Sequence, residues 1–176
     1  MGFSGDHEAV QRKNGTLNEE PAEATVGTPE LQMYGSYERA LDDKGRFSFP
    51  MSFRAKEPGK EEEPLRFMIA EDHEGVVSLM TCAQYEKSLQ AVQQLGTGQD
   101  EWDFRRWLAA HSQAVQTDSQ GRVTIPQKYL EKIGARKRLL ILGAITRIEL
   151  WDPDRWDQRQ AAAGKPAEKY IRAFRT

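Results

Sequence analysis

The sequence predicts a mainly β fold with flanking α-helices, in which two half-barrels interleave into one pseudo-twofold β-barrel of the swapped-hairpin type. Three observations predict it. A segment of the chain occurs twice, both copies sit in the same order of short strands and turns, and a single copy is too short to bury a sheet face alone. The segment Leu41–Pro50 (LDDKGRFSFP) returns as Thr117–Pro126 (TDSQGRVTIP), with Asp, Gly, Arg and Pro coinciding. Downstream, Phe67-Met68-Ile69-Ala70 is matched to Leu140-Ile141-Leu142-Gly143, and Val77-Ser78-Leu79-Met80 to Ile148-Glu149-Leu150-Trp151.

Residues 1–32 are polar, rich in Gly and Pro and without helical or strand periodicity, so they are expected to be a disordered N-terminal extension. Asn14-Gly15-Thr16 matches a glycosylation acceptor, a motif with physical meaning only in a secreted chain. The first repeat, with its C-terminal helix, is assigned to 33–95. A linking helix follows at 96–111, the second repeat with its helix at 112–160, and a flexible basic tail at 161–176.

Within each repeat the expected order is strand, tight turn, strand, one helical turn, strand, turn, strand, helix. Phe47 and Phe49, like Val123 and Ile125, alternate with Ser48 and Thr124, the period of a strand with one buried face. Gly45 and Gly121 allow the positive backbone dihedral that a short hairpin needs. Pro50 and Pro126 end the second strands and suit the first position of a short helix, where a missing amide costs nothing. Pro58–Pro64 reads as a polar surface loop inserted into the first copy. Thr81-Cys82-Ala83-Gln84 fits a capping box, with Tyr85, Leu89 and Val92 at helical spacing as far as about Gln94. Gly96-Thr97-Gly98 breaks that helix before a second one, Asp100 to Ala110. In that helix the aromatic stripe Trp102, Phe104 and Trp107 is assigned mainly to the core, a subunit interface being the alternative. Asp152 caps the last helix, with Pro153 in its first turn.

Composition narrows the function classes. The chain has 176 residues, 38% of them hydrophobic, and a net charge of −2, so no overall basic balance argues for nucleic acid. Local charge is uneven: residues 1–32 carry six acids against two bases, and 157–176 five bases against two acids. No apolar run approaches the roughly 20 residues that cross a bilayer, so no membrane partner is expected and the chain reads as cytoplasmic. Cys82 is the only cysteine, which rules out an internal disulfide or a thiolate-rich zinc site; it is read as a small apolar residue. His7, His73 and His111 are scattered, so no metal site is expected, and no cofactor or small-molecule substrate is expected either. No nucleophile, base and orienting group stand together, which argues against an enzyme. Gly96-Thr97-Gly98 lacks the lysine of a phosphate loop, and Glu61-Glu62-Glu63 is a solvated charge run.

The residues that carry chemistry are therefore the repeated turns. Arginine offers a planar fork that matches guanine O6 and N7, or two phosphate oxygens, so Arg46 and Arg122 are the principal DNA-binding candidates. Asp42 and Asp118 can cap turn amides and hold each guanidinium in one orientation, with Gly45 and Gly121 shaping the turns. Lys44 is placed for a phosphate, whereas its counterpart Gln120 can read a base edge or contact the backbone. Arg54 and Lys128 are further phosphate candidates, and Arg136-Lys137-Arg138 joins them if it faces the same side as Arg122.

These residues resemble the MraZ family, which pairs two Asp-x-x-Gly-Arg…Pro motifs in AbrB-like half-barrels. The resemblance runs from about Tyr34 to Trp156 and includes Tyr34-Gly35-Ser36-Tyr37, Phe53-Arg54 and Arg147-Ile148-Glu149-Leu150-Trp151. It implies binding to double-stranded DNA at short direct repeats upstream of the division and cell wall gene cluster. It further implies repression, association with the nucleoid and assembly into a ring-shaped homo-oligomer. Leu130 and Ser52 stand where the family often has basic residues, which lowers the number of phosphates each subunit can neutralise. The alternative is an antitoxin-like or ring-scaffold protein whose main partner is another protein.

Overall fold

A computed structural model describes residues 33–53, 63–72, 74–94, 96, 98–166 and 168–175. The extension assigned to 1–32, Arg54 and residues 58–62 of the expected insertion lie outside the described residues. The first repeat contributes β1 (Ser36–Ala40), β2 (Arg46–Ser48), a 3-10 turn at Met51–Phe53, β3 (Arg66–Glu71), β4 (Val77–Thr81) and α1 (Cys82–Gln93). After α2 (Gln99–Ala110), the second contributes β5 (Ser112–Gln116), β6 (Arg122–Thr124), α3 (Gln127–Ile133), β7 (Arg138–Gly143), β8 (Ile148–Trp151) and α4 (Pro153–Ala163). A short helix, α5 (Glu168–Phe174), follows.

The fold is mainly β with helices around it, as expected. Hydrogen bonds join the strands into a six-stranded antiparallel sheet, in the order β1-β7-β8-β4-β3-β5, and a separate two-stranded ladder of β2 with β6. Exchanging the copies leaves this order unchanged. β1 lies on β7 as β5 lies on β3, β8 meets β4 at the centre, and β2 meets β6 in the ladder. Each sheet therefore draws strands from both copies. The inner faces meet in one core, where Ile69, Leu79, Ile141 and Leu150 of the large sheet join Phe47 and Val123 of the ladder, all at most 1% exposed.

The strand registers correct the sequence match of the third strands by one residue. Ala40 pairs with Arg138 and Gln116 with Arg66, so Phe67 corresponds to Leu139 and not to Leu140. A one-residue slip moves every side chain to the opposite face, and burial agrees: Phe67 and Leu139 are buried, whereas Leu140 is half-buried on the outer face. The match of the fourth strands stands, and it pairs the two helix caps. Thr81 and Gln84 form the expected capping box at α1, and the Asp152 carboxylate accepts from the Arg155 amide ahead of Pro153 at α4.

Other expectations also change. No residue of α2 is buried, and Trp102 and Phe104 are exposed, because the helix meets the sheet at its β5 edge and does not lie across a face. The ring of Trp107 stacks instead on His111 at 4.7 Å and on Phe104 at 6.0 Å. Cys82 stands at the start of α1, as expected, and is exposed. The segment expected to be a flexible tail is helical over most of its length, since α4 runs to Ala163 and α5 begins at Glu168. Pro126 caps α3 rather than occupying its first turn, and α3 is longer than the single turn expected, with Tyr129, Leu130 and Ile133 buried.

Candidate nucleic-acid interface

The turn after β1 is built by one carboxylate. Asp42 Oδ1 accepts from the amides of Lys44 and Arg46, each at 2.9 Å, while the Gly45 amide donates to the Asp42 carbonyl at 2.9 Å. The turn after β5 repeats this. Asp118 Oδ1 accepts from Gln120 and Arg122 at 2.9 Å, and Gly121 donates to the Asp118 carbonyl at 2.9 Å. Gly45 and Gly121 both sit at φ 71°, in the left-handed region that a side chain disfavours.

A third turn has the same bonding. Asp72 Oδ1 accepts from Glu74 and Val76 at 2.9 Å, Gly75 donates to the Asp72 carbonyl at 3.0 Å, and Gly75 has φ 80°. Here valine stands in the arginine's place. The aspartate and glycine thus suffice to make the turn, so Arg46 and Arg122 are additions to it.

Those two arginines make a further bond. Arg46 Nε donates to Asp42 Oδ2 at 2.7 Å and Arg122 Nε to Asp118 Oδ2 at 2.9 Å, with Arg122 Nη2 at 2.8 Å from the same oxygen. The amides of Arg46 and Arg122, followed by their side chains, hold the Asp42 and Asp118 carboxyls below the usual carboxylate range. Solvent-facing ion pairs of this kind stabilise a fold by only about 0–1 kcal/mol, so their effect here is orientation. They occupy one edge of a fork that carries five donors, and the opposite edge remains for a second acceptor.

The ladder brings the two turns together. Arg46 pairs with Thr124 and Ser48 with Arg122, while Phe47 and Val123 oppose each other on the buried face. Alternation along each strand then places Arg46, Ser48, Arg122 and Thr124 on the outer face. The arginines occupy a diagonal of this tile, about 7–8 Å apart at the backbone. Two bonds lock its ends: Ile125 N donates to Gly45 O at 2.9 Å and Phe49 N donates to Gly121 O at 3.0 Å. Both arginine side chains are about 30% exposed, at 29% and 30%.

The remaining candidates are less uniform. Lys44 and Gln120 are exposed in their turns. Lys128 is exposed on α3, with its ammonium over the Tyr129 ring at 4.7 Å. The Lys137 carbonyl accepts from Leu41 N at 2.9 Å, which places 136–138 beside the first turn, that of Arg46, and not the second. Within that run Arg138 is paired with Glu38 at 3.0 Å and Asp154 at 3.4 Å, and the bond to Glu38 raises its pKa further. Leu130 is buried beneath the first turn: a Cβ on Gly45 would stand 2.8 Å from Leu130 Cδ1 and 3.0 Å from the Ile125 carbonyl. The position where the family often has an arginine thus serves the core in this chain.

Sequence reasoning did not single out Ser48, Thr124 or the Asp72 turn. The first two were visible as the polar beats of the strand alternation, and the third was hidden by the valine at position 76. Gly45→Ala is expected to lower stability by about 1–2 kcal/mol from the left-handed backbone alone. The clash with Leu130 adds to that decrease, which a shifted urea midpoint would measure.

Among the described residues no group of three or more His, Cys, Asp and Glu is arranged to hold a metal ion, and no helix is long and apolar enough to cross a membrane. A family model described as "MraZ protein, putative antitoxin-like" matches residues 108–171. Similarity to individual proteins extends further along the chain. A protein of Caldicellulosiruptor saccharolyticus is 30% identical over 140 residues, covering 78% of this chain and 92% of the relative. One of Acetivibrio thermocellus is 29% identical, covering 77% and 91%, and one of Caldicellulosiruptor bescii is 32% identical, covering 70% and 83%. All three relatives are named "Transcriptional regulator MraZ".

Proposed function

Since this chain belongs to the MraZ family, we infer that it is a transcriptional regulator that binds double-stranded DNA through the outer face of the β2–β6 ladder. The observation that carries this reading is the diagonal pair Arg46 and Arg122, each oriented by its own aspartate on one shared ribbon. A two-stranded ribbon fits the major groove of B-form DNA, where arginine forks match guanine edges. In this reading Lys44, Gln120 and Lys128 supply further phosphate or base contacts, and Arg54 is a further phosphate candidate from the sequence.

The finer parts of the reading rest on the internal repeat and on what the resemblance to the family implies. The two repeats, 33–95 and 112–160, act as AbrB-like half-barrels that close around the common core, with 96–111 linking them. The target is a set of short direct repeats upstream of the division and cell wall gene cluster, where binding represses, and the protein works at the nucleoid in the cytoplasm. Several subunits assemble into a ring. One subunit of near-neutral charge makes few contacts, whereas joined sites gain roughly 10²–10⁴ in avidity. Catalysis has no part in this reading.

The test is a gel-shift titration against the duplex upstream of the chain's own gene at two salt concentrations. With three phosphates neutralised per subunit, a fourfold rise in salt weakens binding by roughly fortyfold. Affinity indifferent to salt, or capture of a protein without DNA, would instead support the antitoxin-like reading that the family description carries.

A further inference from the structure

We propose that Ser48 and Thr124 read base edges and set part of the sequence preference, an inference that rests on the DNA-binding reading of the same ladder. The outer face of the ladder consists of four side chains, and two of them are these hydroxyls. Each stands directly across from an arginine: Thr124 opposite Arg46, Ser48 opposite Arg122. Directly opposed positions have Cβ atoms roughly 4.5–5.5 Å apart, so a base pair met by one arginine lies within reach of its neighbouring hydroxyl.

Side-chain length decides what these positions can do. Both arginines are held to Asp42 and Asp118 across the turns that precede them, and the hydroxyl corners of the tile are short and exposed. A ribbon with low corners can settle close to the groove floor. There a hydroxyl, which both donates and accepts, meets any base edge, and the threonine methyl packs on a thymine methyl. The corners differ between copies, serine in one and threonine in the other, as Lys44 differs from Gln120. The tile is therefore not self-symmetric, and the subunit distinguishes the two directions along a duplex.

The full chain is used to select binding sites from a randomised duplex library, with Ser48→Ala/Thr124→Val compared with the unmodified protein. Valine keeps the β-branched shape and one methyl of threonine and puts a second methyl in place of the hydroxyl. The expected result is a motif that keeps its arginine-read positions and relaxes at others. Specific over non-specific affinity should fall about two- to tenfold per hydroxyl, with the salt slope and thermal melt unchanged. Ser48→Thr, which keeps the hydroxyl, retains the preference. An unaltered motif in the double variant overturns the inference and leaves the regulator reading intact. An equal loss on random and selected duplexes also overturns it, because it assigns the hydroxyls to phosphates. If the unmodified chain enriches no motif at all, the regulator reading fails first.

Discussion

Replacing Arg46 and Arg122 together by alanine should weaken binding to the upstream duplex by about 1–3 kcal/mol for each bidentate arginine–guanine pairing removed, or roughly ten- to a hundredfold per arginine. The fold should persist. The Asp72 turn keeps the same carboxylate and glycine bonds with Val76 in the arginine's place, so the side chain is not what makes the turn. The ion pairs that disappear face solvent, where such pairs add little to stability. Affinity by gel shift and stability by urea titration, measured on the same preparation, separate the two effects. Undiminished affinity in the double variant would remove the ladder from the interface, and a collapse of stability would show that the arginines support the fold.

Phe49→Ala should have the largest effect on stability. The Phe49 ring is 3% exposed and lies 4.9 Å from the Phe67 ring centroid, 6.3 Å from Phe53 and 6.4 Å from Phe47. It therefore ties the ladder to β3 of the large sheet, and its amide closes the bond to Gly121 O. Truncating a buried phenylalanine costs about 3–5 kcal/mol, a large part of the roughly 5–15 kcal/mol that holds a domain together. A urea midpoint lowered accordingly, with an unchanged slope, is the expected result. A decrease below about 1 kcal/mol would mean that the cluster repacks freely around the gap.

Much of this was legible because turns and caps are local chemistry. Asp42, Gly45, Asp118 and Gly121 announce their turns by residue type, and Thr81 with Gln84 announces a helix start. The same logic found Asp152 and Pro153. Elsewhere the sequence lacked the needed information. Leu139 to Leu142 is an unbroken apolar run, so it carries no phase, and only the pairings of β7 with β1 and β8 decide which leucine faces inward. Phe104, Trp107 and Leu108 have the spacing of a buried stripe, yet spacing says nothing of how much sheet lies within reach of α2. Ser48 and Thr124 were equally visible and equally silent: their position on the arginine face follows from β2 lying against β6, a pairing between distant segments.

That exchange of strands has a consequence for how the chain reaches its native state. Ser36 waits for Leu142 and Arg46 for Thr124, and the side-chain bond from Arg138 to Glu38 spans 100 positions. Closing such long loops is entropically costly before any pairing offsets it, which makes folding slow and all-or-none. During synthesis the first half therefore leaves the ribosome with β1 and β2 still unpaired. The edge and apolar face of β2 stay exposed until β6 has been translated and those of β1 until β7 has, and in that interval the nascent chain is most open to aggregation and to chaperones.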